Sequence, residues 1–202
     1  MKKTFSVIIG LFMLLMLPGV SLSATPGPYV SGQLGVTLLT DSNYSEMVDY
    51  GTIEFKPGFA VGIAGGYNFG MFRVEGEIGY QKNDMDTGSV CSGGTCVSGN
   101  ISSSDITALS FLINGYFDFV NSSPFTPYIS GGIGMANLDY KITNWSDSDT
   151  VFAYQVGAGV AFAINKHFTI DLKYRYFATE DPETTISTFA SHNIYLGFRY
   201  NF

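Results

Sequence analysis

The chain alternates. Over residues 72–82, Phe72, Val74, Gly76, Ile78 and Tyr80 share one parity, while Arg73, Glu75, Glu77 and Gln81 share the other. Residues 168–178 repeat the pattern, with Phe168, Ile170, Leu172, Tyr174 and Tyr176 set against Thr169, Asp171, Lys173 and Arg175. Successive side chains of a strand point to opposite faces, so each segment is a ribbon with one apolar side. Eight segments read this way: 29–39, 58–69, 72–82, 106–119, 127–138, 151–165, 168–178 and 191–202. Long helical periodicity is absent, and an all-β fold is expected.

The composition of the two faces decides which one points outward. A soluble sandwich also alternates, but its polar face is rich in Lys, Glu and Thr. Here the face opposite Phe152, Tyr154, Val156, Val160, Phe162 and Ile164 is Ala153, Gln155, Gly157, Gly159, Ala161 and Ala163. Small residues suit a crowded interior, so the large apolar face is expected to meet lipid. The strands reach the roughly 9–11 residues that a tilted strand needs to cross hydrocarbon, against about 5–6 for an average globular strand. Only 13% of residues are charged, against 46% hydrophobic and 15% aromatic; soluble domains carry about 25% charged.

The connections alternate as well. Short ones are expected at Gly70–Met71 and Asn165–His167, with a middling one at Val120–Phe125. Long polar ones are expected at 40–57, 83–105, 139–150 and 179–190. Short turns at one end and long loops at the other are the arrangement of bacterial outer-membrane barrels. The expected fold is an eight-stranded antiparallel up-and-down transmembrane β-barrel in a Gram-negative outer membrane. Both termini would be periplasmic and the long loops extracellular. Lys2 and Lys3, the apolar run Val7–Leu17 and the small residues Ser21–Ala24 predict a signal peptide over 1–24, cut after Ser23 or Ala24, with the barrel over 25–202. That run is too short for a good spanning helix.

The stretches "GYNFGMFRVEGEIGYQ" (66–81), "SFLINGYFDF" (110–119), "TPYISGGIGMA" (126–136), "FAYQVGAGVAF" (152–162) and "SHNIYLGFRYNF" (191–202) carry a family resemblance. They resemble the small outer-membrane β-barrels, the opacity-protein-like surface antigens related in architecture to the OmpA membrane domain. The resemblance implies a surface or envelope role, among adhesion, antigenicity, envelope integrity and minor pores. Alternate Phe198, Tyr200 and Phe202 resemble the terminal signal read by the barrel-assembly machinery. No peptidoglycan-binding domain is expected after Phe202.

Parity assigns eight charges to the interior: Glu75, Glu77, Asp118 and Asp171 against Arg73, Lys173, Arg175 and Arg199. Isolated charges in a narrow interior are costly, so mutual pairing is expected. Asp171 should meet Arg199, and Arg73 should meet Asp118. Glu75 and Glu77 should reach Lys173 and Arg175 across the lumen, with Tyr116 and Tyr195 as further fillers. Such a plug favours a non-enzymatic structural, adhesive or antigenic protein acting through four loops; a narrow, low-conductance porin is the alternative.

The remaining acids, among them Asp41, Glu46, Asp49, Asp84, Asp86, Asp147, Asp149, Glu180, Asp181 and Glu183, fall at the loop end. They are expected to be solvated, or to meet lipopolysaccharide phosphates through divalent cations, or a basic partner. Cys91 and Cys96 in "CSGGTC" are expected to form a disulfide, since an even cysteine count in an exported chain favours one. No EF-hand spacing is present, and no metal site or cofactor is expected. A lipid A-modifying enzyme is a further alternative, but adjacent Ser191 and His192 would point to opposite faces and cannot form a simple dyad. A net charge of −7 disfavours nucleic acid, which needs clustered Lys and Arg. Lipid and lipopolysaccharide, the assembly machinery and an extracellular partner at the loops are the expected contacts of a monomer.

Overall fold

The structure, a computed structural model, describes residues 26–39, 42–46, 49–55, 57–92, 95–100, 105–142, 145–180 and 189–202. For 42–46, 49–55, 84–92, 95–100, 140–142 and 145–147 it describes the backbone path. The expected signal peptide lies outside the described residues, as do Asp41, Asp181 and Glu183.

Eleven strands run through the described residues: β1 (Gly27–Leu39), β2 (Ser42–Glu46), β3 (Asp49–Phe55), β4 (Gly58–Asn68), β5 (Phe72–Ser92), β6 (Thr95–Asn100), β7 (Asp105–Asp118), β8 (Phe125–Ile142), β9 (Trp145–Ala163), β10 (Phe168–Thr179) and β11 (Ala190–Asn201). No helix occurs among the described residues. Eight strands close a barrel in the order β1, β4, β5, β7, β8, β9, β10, β11, every neighbour antiparallel. The closing seam pairs β1 with β11, from Tyr29 opposite Asn201 to Leu39 opposite Ser191. Closure leaves the eight strands without a free edge along the seam, as a barrel in hydrocarbon requires.

The face assignment holds around the barrel. Ile113 (68% exposed), Ile63 (64%) and Leu34 (63%) point outward, while Arg73, Glu77 and Arg175 are buried inside. A soluble monomer rarely carries a contiguous apolar patch above a few hundred Å²; here large apolar residues cover the whole circumference. The interior is crowded enough to need glycine. A Cβ on Gly159 would lie 2.6 Å from the Tyr128 ring.

The short turns are fixed locally. Gly70 adopts φ +100°, which a side chain would disfavour, and its N–H donates to Asn68 Oδ1 at 2.8 Å. Asn165 Oδ1 accepts from the N–H groups of His167 and Phe168, both at 2.9 Å.

The long connections differ from expectation. The predicted loop 83–105 holds the outer half of β5 and all of β6, and the predicted loop 40–57 holds β2 and β3. Beyond the barrel β5 pairs with β3 on one side and β6 on the other, making a four-stranded arm β2-β3-β5-β6. The predicted loop 139–150 is the end of one β8–β9 hairpin, paired up to Ile142 opposite Trp145. The outer half of β5 is largely polar on both parities, with Asn83, Asp84, Asp86, Thr87 and Ser89. It shows no hydrophobic period, and backbone pairing continues all the same.

Candidate functional site

The interior is layered along the barrel axis. Nearest the short turns, Arg73 on β5 makes a two-pronged bond to Asp118 on β7, Nε to Oδ2 at 2.7 Å and Nη2 to Oδ1 at 2.9 Å. Two parallel bonds fix both planes, the strong geometry for a guanidinium and a carboxylate. Arg73 also lies 4.2 Å from the Tyr116 ring centroid and 5.0 Å from that of Tyr128. Arg199 on β11 reaches Asp171 on β10 at 3.6 Å.

In the middle layer Glu77 accepts from Arg175 Nη1 at 2.6 Å and from Asn114 Nδ2 at 2.8 Å, with Lys173 Nζ at 3.9 Å. Arg175 also donates to the Tyr195 hydroxyl. Both expected neighbour pairs and the Glu77 crossing are therefore present. Glu75 is the correction. Instead of Lys173 or Arg175 it takes neutral donors: the hydroxyls of Tyr29 (2.8 Å) and Tyr116, and Asn114 Nδ2 at 3.3 Å. Cross-lumen reach depends on the relative height of facing strands, which parity does not encode. Tyr29 and Asn114 are not among the residues expected in the lumen, and Gln155 is expected to face inward but without a partner. Their inward parity was the available signal; Gln155 Nε2 donates to Asn114 Oδ1 at 2.6 Å.

At the loop end the lumen changes character. Leu138, Ala136, Ala153 and Phe177 are completely or almost completely buried, joined by Ile106, Leu112, Val151 and Phe189. Charges alone do not reveal this apolar layer; apolar residues at inward parity near the loop ends of β7–β10 do. Across from it stand the polar side chains of Thr37, Gln81 and Asn83, also buried.

The remaining candidates are Cys91, Cys96, Ser191 and His192. The β5–β6 register sets Cys91 directly opposite Cys96, and their side chains fall outside the described set. Ser191 points inward and accepts from Asn193 Nδ2 at 3.0 Å. His192 points outward, with Nδ1 2.7 Å from the Tyr174 hydroxyl. The two do not meet, as strand parity requires. No group of three or more potential metal ligands occurs among the described residues.

The described residues thus form a closed eight-stranded barrel with an apolar exterior and a side-chain-filled interior. The family described as Outer membrane protein beta-barrel domain matches residues 8–202. The chain belongs to that family. The outer membrane protein PagN of Salmonella typhimurium is 30% identical over 182 residues, covering 76% of this chain and 75% of PagN. Neisserial surface protein A has a similar fold, with a TM-score of 0.65 at 19% identity, covering 87% of this chain and 97% of that one. Ail, the attachment invasion locus protein of Yersinia pestis, aligns with a TM-score of 0.51 at 15% identity, covering 87% of this chain and 99% of that one. Both structural likenesses concern the fold.

Membership of the outer-membrane β-barrel family places the chain in a Gram-negative outer membrane and makes the apolar exterior a lipid-facing belt. Aromatic groups collect at both margins of the belt, as in other barrels of this class. At the short-turn margin Phe72 meets Phe117 (centroids 5.2 Å apart) and Phe168 meets both Phe198 (5.3 Å) and Tyr200 (5.1 Å). At the loop margin Tyr176 meets His192 at 5.3 Å, and Phe59 meets Tyr80 at 6.0 Å.

Proposed function

We propose that the protein is a non-enzymatic surface protein whose loop end makes structural or adhesive contacts outside the cell, with both termini in the periplasm. One observation carries this reading: the strands outrun the lipid-facing belt at the loop end only. Among the described side chains, the last large apolar residue facing out on β5 is Tyr80, yet the strand continues to Ser92; on β8 it is Met135, and the strand continues to Ile142. Paired backbone holds a contact surface more firmly than loose loops would. Function on this scaffold is carried by what projects from it.

Charge supports the same reading and narrows the partner. By sequence position, thirteen of the 17 acidic residues fall in or beside the segments between strands at the loop end, with three lysines, Lys56, Lys82 and Lys141. A polyanionic partner is repelled by such a surface, while a basic surface, or lipopolysaccharide phosphates bridged by divalent cations, is attracted. The filled lumen favours this reading over a narrow porin, and the separation of Ser191 from His192 favours it over a lipid A-modifying enzyme.

The test uses bacteria that do not otherwise adhere. Cells displaying the protein should bind epithelial monolayers. Cells displaying a variant with 41–55 and 139–150 replaced by short turns should not, at equal amounts of heat-modifiable barrel. Equal adherence of the two would remove the adhesive reading. Orientation and the Cys91–Cys96 disulfide are read together with a membrane-impermeant thiol reagent on intact cells. No labelling before reductant and labelling of both cysteines after it is the expected result; labelling without reductant refutes the disulfide, and none after reductant refutes external loops.

A further inference from the structure

One cation stands on an otherwise uncharged rim. The three short connections, 69–71, 119–124 and 164–167, contain a single charged side chain, Lys166, in the turn between β9 and β10. Residues 26–28, which enter the same rim at the start of β1, add none. Asp118 and Asp171, the acids toward this end, point inward and are held by Arg73 and Arg199. Lys166 is exposed and makes no ion pair among the described residues.

The turn that carries Lys166 is fixed on two sides. Within it, the Ile164 N–H donates to the Phe168 carbonyl at 2.9 Å, beside the two bonds to Asn165 Oδ1. Against β11, the His167 carbonyl accepts from the Asn201 N–H at 2.7 Å and from Asn201 Nδ2 at 3.3 Å. The Asn201 carbonyl lies 2.9 Å from His167 Nδ1. A carbonyl only accepts, so Nδ1 carries the proton of that bond. Next to the turn the outward face is an aromatic wall. His167 stacks on Tyr200 at 5.9 Å, Phe168 meets Tyr200 and Phe198, and Phe202 stands edge-on to Tyr200. Phe168, Phe198 and Phe202 are exposed. Comparable aromatic contacts lie beside the other two connections, Phe72 with Phe117 and Phe125 with Phe162, and no cation accompanies them.

We infer that the β9–β10 turn and the end of β11 form a binding site for one anionic phospholipid: its phosphate accepts from Lys166 Nζ, and its acyl chains lie along Phe168, Phe198 and Phe202. A cation at the margin of an apolar wall calls for an amphipath with a negative head. A zwitterionic head also offers a phosphate, but it brings an ammonium group for which this rim has no outward carboxylate among the described residues. Diffuse attraction to an anionic surface takes a cluster of about 4–8 basic residues, so a single lysine acts through its fixed position beside the wall. That the lipid belongs to the periplasmic leaflet rests on the orientation proposed above; the chemistry of the site does not.

The test follows backbone amide shifts of the refolded full-length protein in phosphatidylcholine nanodiscs as phosphatidylglycerol replaces part of the lipid. Amides of 165–168 and 200–202 should shift and saturate, while those of 69–71 and 120–123 stay in place. Lys166→Gln should raise the half-saturating phosphatidylglycerol fraction about fivefold, the worth of one lysine near an anionic surface, and Lys166→Arg should keep it near the wild-type value. The double variant Lys166→Gln, Ser122→Lys moves the charge to the exposed β7–β8 connection and should not restore binding. Equal shifts at all three connections, or full recovery in the double variant, would reduce the site to bulk charge and overturn the inference. So would saturation unchanged in Lys166→Gln, or the same shifts with inorganic phosphate alone, which would make the ligand a free anion. Both faces of a nanodisc carry the same lipid, so these outcomes are independent of orientation, which the thiol labelling reads separately.

Discussion

Glu75 and Glu77 point to the same side of β5, two residues apart, and the barrel holds them by different chemistry. Glu77 faces Arg175 and Lys173, so its charge is matched by cations. Glu75 is surrounded by the hydroxyls of Tyr29 and Tyr116 and the amide of Asn114. Removing one member of a buried ion pair leaves the other unmatched and costs about 3–5 kcal/mol. Glu77→Ala is therefore expected to lower barrel stability by that amount in urea titrations of protein in lipid vesicles. Glu75→Gln keeps the shape and most of the hydrogen bonds and should cost about 1–3 kcal/mol. A larger loss for Glu75→Gln than for Glu77→Ala would contradict the partner assignment.

β11 is the element on which closure depends, since it joins β10 to β1. Its end is gripped by the turn between β9 and β10. Asn201 N–H donates to the His167 carbonyl at 2.7 Å, His167 Nδ1 lies 2.9 Å from the Asn201 carbonyl, and Phe202 N–H donates to the Pro28 carbonyl at 3.1 Å. Phe202 itself is 66% exposed and lies edge-on to Tyr200 at 5.1 Å. Deleting Phe202 removes one bond of the seam and one interfacial ring and leaves the lumen untouched. The loss to the finished barrel is small, so a large defect would come from recognition during assembly. Accumulation of unassembled chain in the periplasm is the expected outcome, measured as heat-modifiable barrel in outer-membrane fractions. Normal levels of assembled barrel would mean that Phe202 is not part of the assembly signal.

At the scale of the molecule, exposure and position in the membrane come apart. Ile113 and Leu38 both point outward, at 68% and 48% exposure, and a water-soluble protein would tolerate a lysine at either. In this family the surroundings are hydrocarbon at mid-belt and headgroup at the margin. Ile113 pairs with Gly76 and Ile133 in the middle of the belt, while Leu38 lies beside His192 at the loop margin. Ile113→Lys should cost about 2–4 kcal/mol and Leu38→Lys about 0–1 kcal/mol. Refolding equilibria in vesicles give both values, and equal costs would misplace the belt along the barrel.

Much of this was legible in the sequence because parity is a local property. A two-residue period assigns each side chain to a face whatever the rest of the chain does, so the strands, the lipid-facing residues and the inward charges followed from alternation alone. Arg73 with Asp118 and Asp171 with Arg199 were equally readable, because each pair lies on adjacent strands at nearly the same height. Height across the lumen is another matter. It is set by strand tilt and stagger around the closed barrel, and these put Glu75 beside two tyrosines and an asparagine instead of a cation. The same stagger gathers inward residues from β7, β8, β9 and β10 into one apolar layer. Only the tertiary structure could show the arm as well, because β3 and β6 pair along β5 through backbone groups, which every residue but proline carries in full and which leave no hydrophobic period behind.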